Sequence, residues 1–148
     1  MNHELIMLRE VKRMHKLTQS LTKEAKYKAV KSHLSYNVKN GTMGQIAEIC
    51  QTIQLRDECL LFCLAVANAL KTIDKDKSTL LKDYYINQLD ILTLSTRLKV
   101  SKSSVYNRLH IARMQFKDAL IKLGCDEQWL TANFSHIDFI KARLEGNG

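Results

Sequence analysis

Residues Thr93–Phe116, TLSTRLKVSKSSVYNRLHIARMQF, decide how this chain folds. Leu94 and Leu98 are four residues apart, which places them on one face of a short helix. Ser101 stands where a side chain accepts a hydrogen bond from a free backbone N–H at the start of the next helix. The stretch therefore predicts two helices joined by a turn of three residues.

The second predicted helix has one apolar face and one polar face. Residues spaced four, three and four apart form the face that we expect to be buried: Val105, Leu109, Ala112 and Phe116. The opposite face carries hydrogen-bonding and cationic side chains, and no acidic residue occurs before Asp118. Base edges are read by hydrogen bonds and phosphates attract cations, so this surface is typical of a helix that reads DNA.

We predict a set of DNA-contacting residues from this pattern. Base edges in the major groove are expected to meet Lys102, Ser103, Tyr106 and Asn107, and Asn107 suits adenine best. Phosphate contacts are expected from Arg97, Lys99, Ser101, Arg108 and Arg113, and the set is completed by Ser104 and His110. Each polar residue also has a simpler interpretation as exposed helix surface.

The same stretch resembles the helix-turn-helix of region 4 of sigma factors. Leu94-Ser95, Leu98 and the spacing Val100-Ser101-x-x-x-Val105 match its first helix and turn. The run from Ser104 to Arg113 is similar to its second helix in extracytoplasmic-function sigma factors. Leu80–Ile86 resembles the preceding helix, also found in small phage late-gene transcription activators of the RinA and ArpU type. The resemblance covers residues 70–124 and implies a sigma-like DNA-binding module.

Two features depart from that family. Lys99 occupies a turn position where Gly is favoured because the backbone often has a positive φ. We expect Lys99 to be left-handed or the turn to differ slightly. The residues ahead of position 70 do not resemble the promoter-melting region 2 of a complete sigma factor.

The composition predicts an all-α, cytoplasmic protein. The 148 residues include no proline and only five glycines, and these are the residues that most often interrupt helices. The longest apolar run, Cys59–Leu70, is well short of the roughly 20 residues that cross a bilayer, so we expect a core helix and no membrane partner. Because charged residues occur within the first ten positions, we expect no secretory signal there.

We divide the chain into three predicted parts: a helical N-terminal region 1–73, a DNA-binding domain 74–124 and a helical tail 125–148. Within the first, a cap at Ser20 is expected to open a helix to about Tyr36. A break at Asn40-Gly41 precedes a short helix ending near Thr52, and a core helix covers Arg56–Ile73. In the second, Ser78 is expected to cap a helix ending near Ile86, and Gly124 to end the DNA-reading helix.

The charge of +8 is unevenly distributed. Residues 1–50 hold nine Lys and Arg against four acids, and residues 88–124 hold seven against two, whereas 51–87 are balanced. The basic segments predict a surface for nucleic acid, although 1–50 could equally be a solvated lysine-rich helix. The acidic, aromatic tail either packs back onto the domain or docks a second copy or a partner protein.

Neither a catalytic site nor a cofactor or metal site is expected. Glycine-rich phosphate loops, nucleophile elbows and paired metal-binding histidines are missing from the sequence. We interpret the four cysteines as reduced, mainly buried thiols, although Cys59 and Cys63 share a helix face. The protein is predicted not to be an enzyme.

The sequence thus predicts a transcription regulator that binds specific double-stranded DNA, with a homodimer attractive because two copies multiply the contacts. Three alternatives stay open. The first is a sigma-like or split sigma subunit that acts with RNA polymerase. The second is a DNA-binding protein like a phage small terminase, and the third is an adaptor that has lost DNA binding.

Overall fold

The computed structural model describes residues 2–34 and 41–146, and over these ranges the chain forms helices and no strand. The predicted all-α class is therefore confirmed. A π-helical turn, Lys82–Ile86, follows α3. Within the described ranges, no helix combines the length and apolarity needed to span a bilayer. The α-helices are α1 (His3–Leu34), α2 (Gly41–Thr72), α3 (Lys75–Leu81), α4 (Ile91–Leu98), α5 (Lys102–Lys122), α6 (Glu127–Phe134) and α7 (Asp138–Leu144).

The first two helices are longer than the sequence predicted. Ser20 does not cap a second helix but lies within α1, where the nearby Thr22 hydroxyl donates to the Thr18 carbonyl. The predicted end near Thr52 is also wrong, since its hydroxyl donates to the Glu48 carbonyl inside a continuous α2. Hydroxyls bonded back to the preceding turn stay compatible with a helix, so they do not mark its end. The predicted helix end at Tyr36 and the break at Asn40 lie outside the described residues.

The start of α3 also differs from the prediction. Ser78 is buried within the helix, and its backbone N–H donates to the Asp74 carbonyl at 2.9 Å. The helix therefore opens one turn earlier than a Ser78 cap would allow. The π-helical turn that follows is closed by a bond from Asn87 N–H to the Lys82 carbonyl, 2.8 Å long.

The chain forms two compact units. The smaller one, Arg13–Cys63, is a pair of antiparallel helices. Lys28 Nζ donates to Thr52 Oγ1 at 3.0 Å, and the Cys63 thiol lies beside Thr18. Contacts therefore join later residues of α1 to earlier residues of α2, as in an antiparallel pair. Burial raises the pKa of the Cys59 thiol in this unit to about 11.

The larger unit comprises Met1–Lys12 and Leu64–Gly148. Its core confirms the predicted buried face of α5, because Val105, Leu109, Ala112 and Phe116 are all buried. Leu94 and Leu98, predicted to share a face of α4, differ in exposure: Leu94 is buried, whereas Leu98 is 37 % exposed because it lies in the last turn of α4, at the edge of a groove. Further buried side chains come from the first turns of α1 and from the C-terminal helices: Ile6, Met7, Leu8, Leu130, Phe134, Ile137 and Ile140.

Candidate nucleic-acid interface

Helix α4 has a defined cap at each end. At its start, Asp90 Oδ1 accepts a bond from Thr93 N–H at 2.7 Å, and hydrogen bonds from the Thr93 hydroxyl and from this N–H lower the pKa of Asp90 because they favour the carboxylate. At its end, Lys99 has φ 57° and ψ 42°, which confirms the left-handed conformation expected there. Val100 N–H donates back to the Ser95 carbonyl at 3.2 Å, so the chain leaves α4 through a Schellman turn.

The turn between α4 and α5 is held from both sides. Ser101 Oγ accepts from Ser104 N–H at 3.1 Å, which confirms the predicted cap of α5. The Ser95 hydroxyl of α4 donates to the Val100 carbonyl in the turn. These bonds fix the direction in which α5 leaves the turn.

The outer side of α5 is open to solvent. Tyr106 is 54 % exposed, and Ser103, Asn107 and His110 are exposed with it. Their spacing of three, one and three residues places them opposite the buried face of the helix. We call these four side chains the outer face of α5.

The predicted phosphate contacts surround this face at different exposures. Arg97, Lys99, Ser101 and Arg108 are exposed, and so is Lys102, a predicted base contact. Arg97 Nη1 lies 3.6 Å from Asp83 Oδ2, and this ion pair links α4 to the π-helical turn. Ser104 is half-buried and its hydroxyl accepts a bond from Ser101 Oγ at 3.1 Å.

Arg113 is placed differently from the other predicted contacts. Its Nε lies 3.6 Å from Glu4 Oε1, and that carboxylate is fully buried. Its Nη2 lies 3.4 Å from the Nδ1 atom of His110. Because a buried carboxylate is costly without a nearby cation, Arg113 is engaged inside the larger unit.

The beginning of α1 supplies a buried polar cluster that the sequence did not reveal. Glu4, Glu10 and His3 are at most 3 % exposed. Arg143 Nε donates to Glu10 Oε1 at 2.8 Å, and burial lowers the pKa of His3 below its ordinary value of 6.5. The sequence pattern of α1 could not identify the partners of these residues, because the partners lie on α5 and α7.

The sequence also contained no sign of a groove of about 560 Å³ beside α5. It lies between α3, α4 and α5 and combines apolar side chains, among them Leu98 and Ile111, with charged ones at its rim. Ile111 is 51 % exposed and lies one turn after Asn107, at the margin of the outer face, a position that the sequence pattern left unexplained. The lining residues are Lys75, Asp76, Lys77, Thr79, Leu80, Asp83, Leu94, Arg97, Leu98, Arg108 and Ile111.

In the described part of the chain, no group of three or more His, Cys, Asp or Glu residues is arranged to hold a metal ion. Comparison with protein-family models, curated protein sequences and solved structures finds no match to this chain. The resemblance to sigma region 4 therefore rests on the quoted residues alone.

Proposed function

We propose that this protein is a DNA-binding transcription regulator that reads a specific sequence with the outer face of α5. The observation that carries the proposal is the position of that face: four exposed hydrogen-bonding side chains on a helix whose start is fixed by Ser101 and whose other side is buried. A rigidly mounted helix of this chemistry fits the major groove, which is wide enough to admit an α-helix.

The roles divide according to position. Asn107 is the best adenine reader, since its amide can both donate to and accept from the adenine edge. Lys102, Ser103 and Tyr106 are neighbouring base contacts at the N-terminal end of α5. Arg97, Lys99 and Arg108 flank them and serve the phosphates, which orient the protein without specifying sequence.

A second candidate is a sigma-like subunit that reads DNA only within an RNA polymerase complex. The groove between α3, α4 and α5 favours it, because Leu98 and Ile111 offer an apolar contact for another protein next to the reading helix. The two candidates differ in whether the isolated protein selects a sequence.

Selection from a random duplex library, followed by sequencing at two salt concentrations, tests the proposal. A self-sufficient regulator enriches a motif at both concentrations. Binding without enrichment that collapses as salt rises is phosphate contact alone and contradicts sequence-specific reading. Enrichment only in the presence of polymerase core contradicts the first candidate and supports the second.

Substitution of the reading residue sharpens the test. Asn107→Ala should relax preference at one position of the motif and cost about 1–3 kcal/mol of binding free energy. Asn68→Ala removes an exposed amide from α2 and is the matched control. If both variants retain the wild-type motif and affinity, the outer face of α5 is not the reading surface.

A further inference from the structure

Helix α2 is apolar on two opposite sides within the smaller unit. One side is buried and includes Cys59 and Phe62. The other side carries residues spaced three and four apart, which we call the α2 stripe: Met43, Ile46, Cys50, Ile53, Asp57, Leu60 and the adjoining Leu61. Alternating spacings of three and four are those of helices that pack side by side.

The α2 stripe is largely uncovered by the described residues. Met43 is 78 % exposed, Ile46 48 %, Leu60 42 % and Leu61 58 %. A helix that is apolar all round is normally buried all round, and a continuous exposed apolar surface usually marks an interface. The unit Arg13–Cys63 is a single pair of helices, and helices of this kind are commonly stabilised when a second pair covers them.

We propose that a second copy of this chain covers the α2 stripe, with the two α2 helices antiparallel about a two-fold axis near Ile53. In this arrangement Ile53 meets its own counterpart, and Ile46 meets Leu60 and Leu61 of the second copy. Cys50 then faces Asp57 across the interface. The stripe is self-complementary in its apolar residues, because Ile46 lies seven residues before Ile53 while Leu60 and Leu61 lie seven and eight after it, as an isologous two-fold interface requires.

The only charge on the stripe selects the antiparallel direction. A parallel pairing in register would bring the two Asp57 carboxylates together, and like charges facing each other are unfavourable. The antiparallel pairing separates them by about 11 Å along the helix axis, given a rise of 1.5 Å per residue. Asp57 also accepts two bonds from the Arg56 guanidinium of its own chain, at 2.8 and 3.0 Å, so its charge is partly neutralised.

This surface differs from the tail, for which docking of a second copy was one alternative. The principal apolar side chains of the tail, Leu130, Phe134, Ile137 and Ile140, are buried within the larger unit. The α2 stripe therefore offers the apolar area that the tail does not. The inference concerns association of the chain with itself and does not depend on DNA binding.

The mass of the full chain in solution tests the interface. Sedimentation equilibrium over a range of concentrations should give a particle of twice the 17.0 kDa chain mass. Ile46→Asp should weaken dimerisation about 100-fold, because each interface would then bury two additional unpaired carboxylates. Ile121→Asp is the matched control, since Ile121 is 47 % exposed on α5 and should leave the dimer unchanged. Both variants are checked for wild-type helix content by circular dichroism.

A wild-type chain that remains monomeric at the highest concentration overturns the inference. Equal weakening in both variants would also overturn it, because the α2 stripe would then not be the contact. Since the mass is measured without DNA, a monomer that selects a DNA motif and a dimer that does not are distinguishable results.

The direction of the helices can be tested by oxidation. An Asp57→Cys chain should form an intermolecular disulfide to the Cys50 thiol of the second copy, identified by mass spectrometry of the linked peptides. Wild-type chains joined through their two Cys50 thiols would indicate the parallel register instead and contradict the proposed axis.

Discussion

Charged residues at the start of α1 and around the turn before α5 lie in opposite environments. Glu4 and Glu10 are 0 % and 1 % exposed, whereas Lys99 and Lys102 are exposed to solvent. The buried acids face arginines from distant parts of the chain, while the exposed lysines have open surroundings. The two groups should therefore respond very differently to substitution.

The difference teaches that position, more than residue type, decides what a charge does. A buried charge that loses its partner remains in an apolar environment, and the loss appears as reduced stability. An exposed cation adds little to stability and remains able to contact a phosphate. Arg113 and Arg108, on the same helix, fall on opposite sides of this division.

The largest expected effect comes from the Glu10–Arg143 pair. Arg143→Met should lower the free energy of unfolding by about 3 kcal/mol, because it removes the guanidinium that donates to a buried carboxylate. Urea unfolding followed by circular dichroism measures it. Lys141→Met, an exposed change on the same helix, is the control and should stay within about 0.5 kcal/mol of wild type. Equal stability of the two variants would show that burial does not decide how much these charged residues contribute to stability.

The next prediction compares the two arginines on α5. Arg113→Met should destabilise the fold by about 1–3 kcal/mol because Glu4 then loses its nearest cation. Arg108→Met should leave stability almost unchanged but weaken DNA binding and reduce its salt slope by about one. Unfolding curves and salt titrations on both variants measure the two quantities. The reverse pattern would place Arg113 on the phosphates and break the comparison.

A smaller effect is expected at Lys99, whose backbone ends α4 and whose side chain is a proposed phosphate contact. Lys99→Gly should raise the free energy of unfolding by about 0.5–1 kcal/mol, because glycine accepts φ 57° without strain. The same change should weaken binding to all DNA sequences, since it removes a cation. Gly124→Ala is the reverse substitution, from glycine to a residue with a side chain at a left-handed position. An added Cβ would meet nothing within 4 Å, so any loss of stability comes from φ +81° alone. Loss of stability in Lys99→Gly would contradict this account of the turn.

The smallest effect is a pH dependence from His3. Burial lowers the pKa of His3 in the folded chain, so the unfolded chain binds more protons as pH falls below 6.5. The contribution of His3 to stability is therefore fully present above pH 6.5 and decreases below it. The measurement is the free energy of unfolding from pH 8 to 5 for wild type and His3→Gln. His15→Gln, at an exposed position, should keep the wild-type dependence.

Local rules predicted the conformation of the turn between α4 and α5 and of α5 itself well, and they failed where contacts with distant residues determine the structure. The Ser101 cap, the left-handed Lys99 and Gly124 and the buried face of α5 depend on neighbours within a turn or two, so the sequence contains the needed information. The ends of α1 and α2 were misplaced because hydroxyls near Ser20 and Thr52 resemble caps but bond within the helix. The role of Arg113 could not be predicted, because its partner Glu4 is more than a hundred residues away in sequence.

The π-helical turn at Lys82–Ile86 has a consequence for how the chain tolerates changes in length. A turn closed between Lys82 and Asn87 holds one residue more than an α-helical turn, and each α-helical residue rotates the chain by about 100°. Deletion of a single residue here would convert the wide turn into an ordinary α-helical one and change the path of the chain between Asp83 and α4, where its partner Arg97 lies. The segment thus determines how the side chains of α3 are oriented toward α4.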